Sequence, residues 1–339
     1  MRHLLLLIIF IQSTLCLGFQ QANISAFVYH RFGDDRYPST NIDLDKFEAQ
    51  LKFLKNNGYS VVTLSEAMSS LNSQSTEAKV AVISIDDAYK SFYANGWPLL
   101  KKYDFPATLF VNTETVGAGD FMGWQEIREV KEAGIEIGNH SHAHPYFLND
   151  YNKQDFLEDL YVSQNEFEEH LREIPTSYAY PYGECNSSMR EVLDSLGFSN
   201  AVAQKSGVIY SGSSLFSLPR FPMSNDYADM EQFKEKLSVA ALEINNIMTY
   251  QEGIMGSETS PTIVISFYEK DLELKYLQVF IQGTEVNKSI TVGKDGLVKL
   301  TISPKSSLKK RRTLFTVTVP NKRGEWAWYS YSLVITKVR

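Results

Sequence analysis

Residues 80–87 read Val80-Ala81-Val82-Ile83-Ser84-Ile85-Asp86-Asp87. This apolar run ending in two acids predicts a strand. Neighbouring side chains on a regular strand face opposite ways. Asp86 and Asp87 can therefore reach one site only where the strand ends and the backbone turns. Alone, two acids after a strand are as well explained by a loop that caps the next helix.

Further along stands Asn139-His140-Ser141-His142-Ala143-His144-Pro145. One carboxylate and two imidazoles form a common three-ligand set for a catalytic divalent metal, with positions left for water and substrate. The second aspartate is then spare, and a spare carboxylate beside such a water is what a hydrolase needs as general base. Spacing does not choose between the histidines. His140 and His144 share a face in a helical turn, whereas His140 and His142 share one in an extended segment.

The surrounding pattern alternates. Strands are expected at 24–29, 60–64, 80–85, 107–111, 135–137, 178–180 and 201–203. Helices are expected after Asp43, with Leu44, Phe47, Leu51 and Leu54 on one face, and at 124–133, 156–171 and 189–196, with Gly58, Gly134 and Gly197 as terminators. Such alternation argues for a parallel barrel or a doubly wound sheet, and a barrel places its chemistry at the C-terminal strand ends. His30, Asp86, Asp87, His140 and Tyr182 all follow expected strands. Beyond about residue 250 the helical period disappears. Gly256-Ser257-Glu258-Thr259-Ser260-Pro261 reads as a linker, followed by alternation at Leu277, Val279, Ile281, at Val298, Leu300, Ile302 and at Phe315, Val317, Val319. The expected organisation is a barrel domain at 19–250, a linker at 251–261 and a small all-β, immunoglobulin-like sandwich at 262–339 that lacks that fold's cysteine pair. Trp326, Trp328, Tyr329 and Tyr331 are read as core and interdomain packing ahead of sugar stacking. Lys309-Lys310-Arg311-Arg312 is read as a solvated turn.

Arg2 and His3 precede the apolar run Leu4–Ile11, with small residues up to Gly18, so residues 1–18 read as a secretory signal peptide and the protein as exported. The run is short for a membrane span. With Cys16 in that leader, Cys185 remains alone and no internal disulfide is expected. A net charge of −7 argues against nucleic acid as a partner, and 43% hydrophobic residues suffice for real cores.

Three ordered motifs resemble the polysaccharide deacetylases of carbohydrate esterase family 4, the NodB homology family. Ser84-Ile85-Asp86-Asp87 is similar to the first motif, His140-Ser141-His142-Ala143-His144 to the second, and Ala179-Tyr180-Pro181-Tyr182-Gly183 to the third. The resemblance covers roughly residues 24–225 and implies a distorted (β/α)7 barrel. It also implies Asp86 as general base, Asp87, His140 and His144 as metal ligands, and the Tyr182 backbone N–H as an oxyanion donor. His142 falls on a variable position.

Two departures stand out. Ala179 replaces the arginine that orients the base, and no histidine after His170 supplies the family's general acid. Both are met by resemblance to the subgroup that deacetylates poly-β-1,6-N-acetylglucosamine, a circularly rearranged relative. There Tyr29-His30 is similar to the acid-bearing segment, and Leu218-Pro219-Arg220-Phe221-Pro222 to a later arginine, so His30 and Arg220 are expected to take over these tasks. The resemblance implies a metal-dependent N-deacetylase acting on an acetylated polysaccharide, with the biofilm-type β-1,6 polymer ahead of chitin and peptidoglycan. Zinc leads among the metals, with iron, cobalt, nickel or manganese also suited. The expected location is a bacterial periplasm or cell exterior. An O-acetyl esterase and an inactive glycan-binding relic are the alternatives.

Overall fold

The computed structural model describes residues 23–72 and 79–337, so the expected leader lies outside the described residues. The first body runs β1 (Ile24–Tyr29), β2 (Arg31–Phe32), β3 (Asn41–Ile42), α1 (Leu44–Asn56), β4 (Ser60–Val62), α2 (Leu64–Asn72), β5 (Val80–Asp86) and α3 (Trp97–Tyr103). It continues with β6 (Thr108–Val111), α4 (Trp124–Glu132), β7 (Glu136–Asn139), α5 (Lys153–Leu171), β8 (Ser177–Ala179), α6 (Ser187–Ser195), β9 (Asn200–Val202), β10 (Phe221–Pro222) and α7 (Met230–Ser238). Apart from β2 and β3, which pair with each other, its strands form a parallel sheet in the order β10-β1-β5-β6-β7-β8-β9, with β4 beside β5. β5 pairs with β4 along residues 80–82 and with β6 from Ser84 onward. The sheet curls into a distorted barrel. Leu218 bridges Val202 of β9, and three residues later Phe221 pairs with Phe27 of β1, so one short segment spans the gap between the first and last strands.

All seven residues of β5 are buried, as its composition requires. On α1, Phe47, Leu51 and Leu54 face the core, and each such burial contributes about 1.5–3 kcal/mol. α2, α3 and α7 were not legible as helices. Each is short, and α3 carries Pro98, which a helix tolerates only in its first turn.

The second body comprises β11 (Ala240–Ala241), β12 (Asn246–Met248), β13 (Ile263–Tyr268), β14 (Gln278–Ile281), β15 (Val286–Val292), β16 (Leu297–Pro304), β17 (Arg312–Pro320) and β18 (Trp326–Val334). Two four-stranded sheets, β11-β18-β17-β14 and β12-β13-β16-β15, share one core that includes Ile263, Ile265, Val298, Leu300, Phe315 and Val317. The pairs are antiparallel except β11 with β18.

The expected boundary at 250 and linker at 251–261 need correction. β11 and β12 already belong to these sheets, Leu242 and Met255 lie in their core, and Ile254 bridges Val334. Strands of two and three residues carry too little alternation to be read from sequence. The polar stretch at 256–260 is a turn within the second body, leading into β13.

Candidate metal centre

β5 ends at Asp86, and the next two residues, Asp87 (φ 72°) and Ala88 (φ 53°), adopt left-handed backbone conformations. Two consecutive non-glycine residues in that region cost free energy. They also supply the turn that brings adjacent acids to one place. Ser141 (φ 70°), His144 (φ 52°) and Tyr182 (φ 57°) are strained in the same sense, so positive φ gathers around this end of the barrel.

Asp87, His140 and His144 converge. His140 Nε2 stands 3.5 Å from Asp87 Oδ1, His144 Nε2 stands 3.6 Å from the same oxygen, and the two Nε2 atoms are 3.2 Å apart. Donors bonded to one tetrahedral cation at about 2.1 Å would stand about 3.4 Å from each other, so this triangle fits such an ion. The tautomer fits as well. His140 Nδ1 lies 2.7 Å from the Ala179 carbonyl, which can only accept, so the proton sits on Nδ1 and Nε2 presents its lone pair. Burial, with the charge of His140 nearby, lowers the pKa of His144 to about 4 against the pull of Asp87 and Asp86, keeping its imidazole neutral.

The loop between the histidines is neither helical nor extended, which is why spacing left them open. Asn139 Oδ1 accepts the Ser141 N–H, Ser141 Oγ accepts the His144 N–H, and the Asp159 carboxylate accepts the N–H groups of His142 and Ala143. His142 turns away to Thr113, its Nδ1 2.8 Å from Oγ1. Asp159 carries no local signal in the sequence, because it acts from α5.

Asp86 is fully buried beside the triangle, its Oδ2 4.0 Å from His140 Nε2. Arg220, also fully buried, grips it bidentately, Nη1 to Oδ1 at 2.7 Å and Nη2 to Oδ2 at 2.8 Å. Arg220 donates further to Ser84 Oγ and the Ala203 carbonyl. Burial opposes ionisation of Asp86, but the Arg220 guanidinium, with His140 and His30, overcomes it and holds the carboxyl well below the usual range. With Ala179 at the arginine position, Asp86 is still paired with a guanidinium. An arginine 41 positions later in the sequence reaches the carboxylate from just before the strand that closes the barrel.

His30 follows β1, half-buried, close enough to feel the charges of Asp87, Asp86 and Arg220; burial lowers its pKa against the pull of the two acids. Gln204 Nε2 stands 3.5 Å from its Nε2. Tyr182 lies in the turn Pro181–Gly183 with its ring edge-on to His144, centroids 4.6 Å apart, and stacked on Tyr146 at 3.7 Å. Gly183 is obligatory: at φ +71° a Cβ would sit 2.3 Å from the Gln204 backbone nitrogen.

Sequence reasoning missed the pair formed by Arg31 and Tyr89. The Arg31 guanidinium lies against the rings of both Tyr37 and Tyr89, and the charge of Asp87 acts on the Tyr89 hydroxyl. It also misjudged the basic run. Lys309 and Lys310 are exposed, but Arg311 pairs with buried Glu184, and Arg312 donates to the Gln204 carbonyl at 2.7 Å. Of the aromatic residues on the last strand, Trp326 and Trp328 pack on the barrel core and Tyr329 and Tyr331 on the sandwich core.

A parallel barrel that carries an Asp-His-His triangle beside an arginine-bound aspartate defines a metal-site α/β hydrolase architecture. Residues 73–201 match the polysaccharide deacetylase family. It is 26% identical over 216 residues to the poly-β-1,6-N-acetyl-D-glucosamine N-deacetylase of Staphylococcus aureus, covering 60% of this chain and 74% of that protein. Among solved structures, IcaB from Ammonifex degensii superposes with a TM-score of 0.59 at 26% identity, over 64% of this chain and 98% of that one. The deacetylase PplD of Streptococcus pyogenes superposes equally well at 23% identity, over 64% and 99%, which supports the fold. His30 and Arg220 both lie outside the matched family segment. Among the described residues, no helix is long and apolar enough to cross a membrane.

Proposed function

We propose that the chain is an exported N-deacetylase that removes acetyl groups from a poly-N-acetylglucosamine-type polysaccharide. The observation that carries this reading is the pairing of two differently treated acids: Asp87 in the cation triangle, and Asp86 held beside it by Arg220. The name of the S. aureus relative points to the same reaction and to a β-1,6 polymer.

A divalent cation, when bound by Asp87, His140 and His144, supplies Lewis acidity that polarises the acetamide carbonyl and acidifies water; zinc suits this donor set, as do iron, cobalt, nickel and manganese. Asp86 accepts the proton of the attacking water, and Arg220 fixes which lone pair of its carboxylate faces the site. The Tyr182 backbone N–H, in its left-handed turn, serves the oxygen where negative charge develops. His30 delivers a proton to the departing amine. Because burial lowers its pKa, His30 is neutral at rest and delivers only a proton that it has first received from the site.

The test is release of free amine by the mature chain, loaded with metal, from acetylated β-1,6- and β-1,4-linked oligomers and from an O-acetylated glycan. The expected result is amine release on the β-1,6 oligomers that disappears in Asp86→Asn, with His30→Ala losing more activity on the amide than on the ester. Ester cleavage without amide cleavage would make it an O-acetyl esterase. A metal-loaded wild type that is silent on every substrate would make it a relic.

A further inference from the structure

The second body reaches the loops that carry His144 and Tyr182 through Arg311. Arg311, immediately before β17, donates from Nε and Nη2 to the two oxygens of Glu184, at 3.0 and 2.7 Å, and a third nitrogen donates to Asn149 Oδ1. Glu184 is buried, 4% exposed, and immediately follows the turn that carries Tyr182. The same guanidinium lies 4.2 Å from the centroid of Tyr146, which stacks at 3.7 Å and 12° on Tyr182, whose ring meets His144. A continuous column thus runs from the β-sandwich through Arg311, Tyr146 and Tyr182 to a ligand of the metal triangle. Both barrel loops that form this wall of the site, 140–147 and 181–185, are fastened to the same side chain.

We infer that Arg311 is a positioning residue for the metal centre: the β-sandwich sets the orientation of His144 and Tyr182 through the Arg311–Tyr146 stack and the Arg311–Glu184 ion pair. A bidentate guanidinium is suited to this task, since it fixes a plane and a direction while its faces remain free to lie on a ring. Lysine offers a charge without the fork. Residues that hold metal ligands from behind typically alter metal affinity or activity by about 10–100-fold when removed, and Arg311 acts one contact further out, so an effect near the lower end, about 10-fold, is expected.

The inference rests on the Asp87-His140-His144 triangle as a metal site and is tested without substrate. Co2+ is titrated into the metal-free full-length chain, and affinity and visible spectrum are read for wild type, Arg311→Ala, Arg311→Lys, Tyr146→Ala and the double variant Tyr146→Ala/Arg311→Ala. The expected result is an affinity loss of about 10-fold with an altered spectrum in Arg311→Ala, incomplete recovery in Arg311→Lys, and a double variant no worse than the more affected single one, because both act along one column. Exposed Lys309→Ala and Lys310→Ala should match wild type. Since removing Arg311 strands a buried carboxylate, the pair Arg311→Gln/Glu184→Gln keeps a neutral hydrogen-bonded contact, and it too should lose affinity, because the cation over Tyr146 is gone. Wild-type affinity and spectrum in folded Arg311→Ala and Arg311→Gln/Glu184→Gln would overturn the inference, as would strictly additive losses in the Tyr146 cycle. A wild type that binds Co2+ as expected but releases no amine would count against the proposed substrate and leave this test intact.

Discussion

The barrel rim and the sandwich interior solve opposite problems with the same alphabet. In β13 and β16 of the sandwich, inward positions such as Ile263, Ile265, Val298 and Leu300 are apolar and buried and their neighbours are more exposed, so these strands follow a single rule that their sequence displays. At the rim, Asp86 and Arg220 are charged and fully buried, and Asp87, Ala88, Ser141, His144 and Tyr182 hold positive φ. That rim would be a poor way to build a stable core. Its disagreements with ordinary packing mark where the fold gives up stability for chemistry.

The comparison breaks most visibly at Arg220. Arg220→Ala leaves the Asp86 carboxylate buried without its counter-charge, and about 3–5 kcal/mol of stability should be lost together with amine release. A denaturant midpoint unchanged from wild type would mean that the pair is solvated. Arg220→Lys restores charge without the fork and should recover only part of either loss.

In the sandwich, Phe315→Ala should cost a similar amount, about 3–5 kcal/mol, by opening a cavity in a fully buried position. Here the chain that remains folded should still bind one equivalent of Co2+. Equal stability loss with opposite effects on the site is the sharpest form of the contrast.

A smaller effect distinguishes the two regions by pH in the metal-free protein. The folded pKa of His144, about 4, lies below its ordinary value of 6.5, so the unfolded chain binds the proton more readily between those values. Stability is therefore fully present above pH 6.5 and falls as pH drops toward 4, by up to about 3 kcal/mol. The contribution of Asp86, whose pKa is depressed, is present above its ordinary value of 3.8 and is lost only in stronger acid. Denaturant titrations of the metal-free chain at several pH values should show the first loss in wild type and a flatter profile in His144→Gln. A wild-type profile that is flat between pH 6.5 and 4 would contradict this assignment. At the small end, Lys309→Ala and Lys310→Ala should shift stability by no more than about 0.5 kcal/mol, because both are exposed.

Much of this was legible in the sequence, for identifiable reasons. β5 announces itself because a doubly buried parallel strand is nearly all apolar, and the acids at its end stand out against it. The histidine cluster is conspicuous, yet its ligand pair depends on an irregular loop held by Asn139, Ser141 and Asp159, which periodicity cannot express. Resemblance to a known family supplied the choice of His140 and His144, and the geometry agrees with it. Arg220 could be suggested only by resemblance, since its partner lies 134 residues away and meets it when the barrel closes. Arg311 was illegible in a stronger sense. A run of four basic residues looks like a solvated turn, and only the docking of the two bodies separates Arg311 and Arg312 from the exposed lysines. The start of the sandwich at Ala240 escaped notice because β11 and β12 are too short to show a period.

The central claim is that Asp87, His140 and His144 hold one cation beside Asp86. Anomalous diffraction from crystals of the full-length chain soaked in Zn2+ tests it most directly. The account predicts a single strong peak about 2.0–2.2 Å from one Asp87 oxygen and from the Nε2 atoms of His140 and His144. A fully soaked crystal with no peak among these three side chains, or with zinc held by His142 in place of one of them, would contradict it.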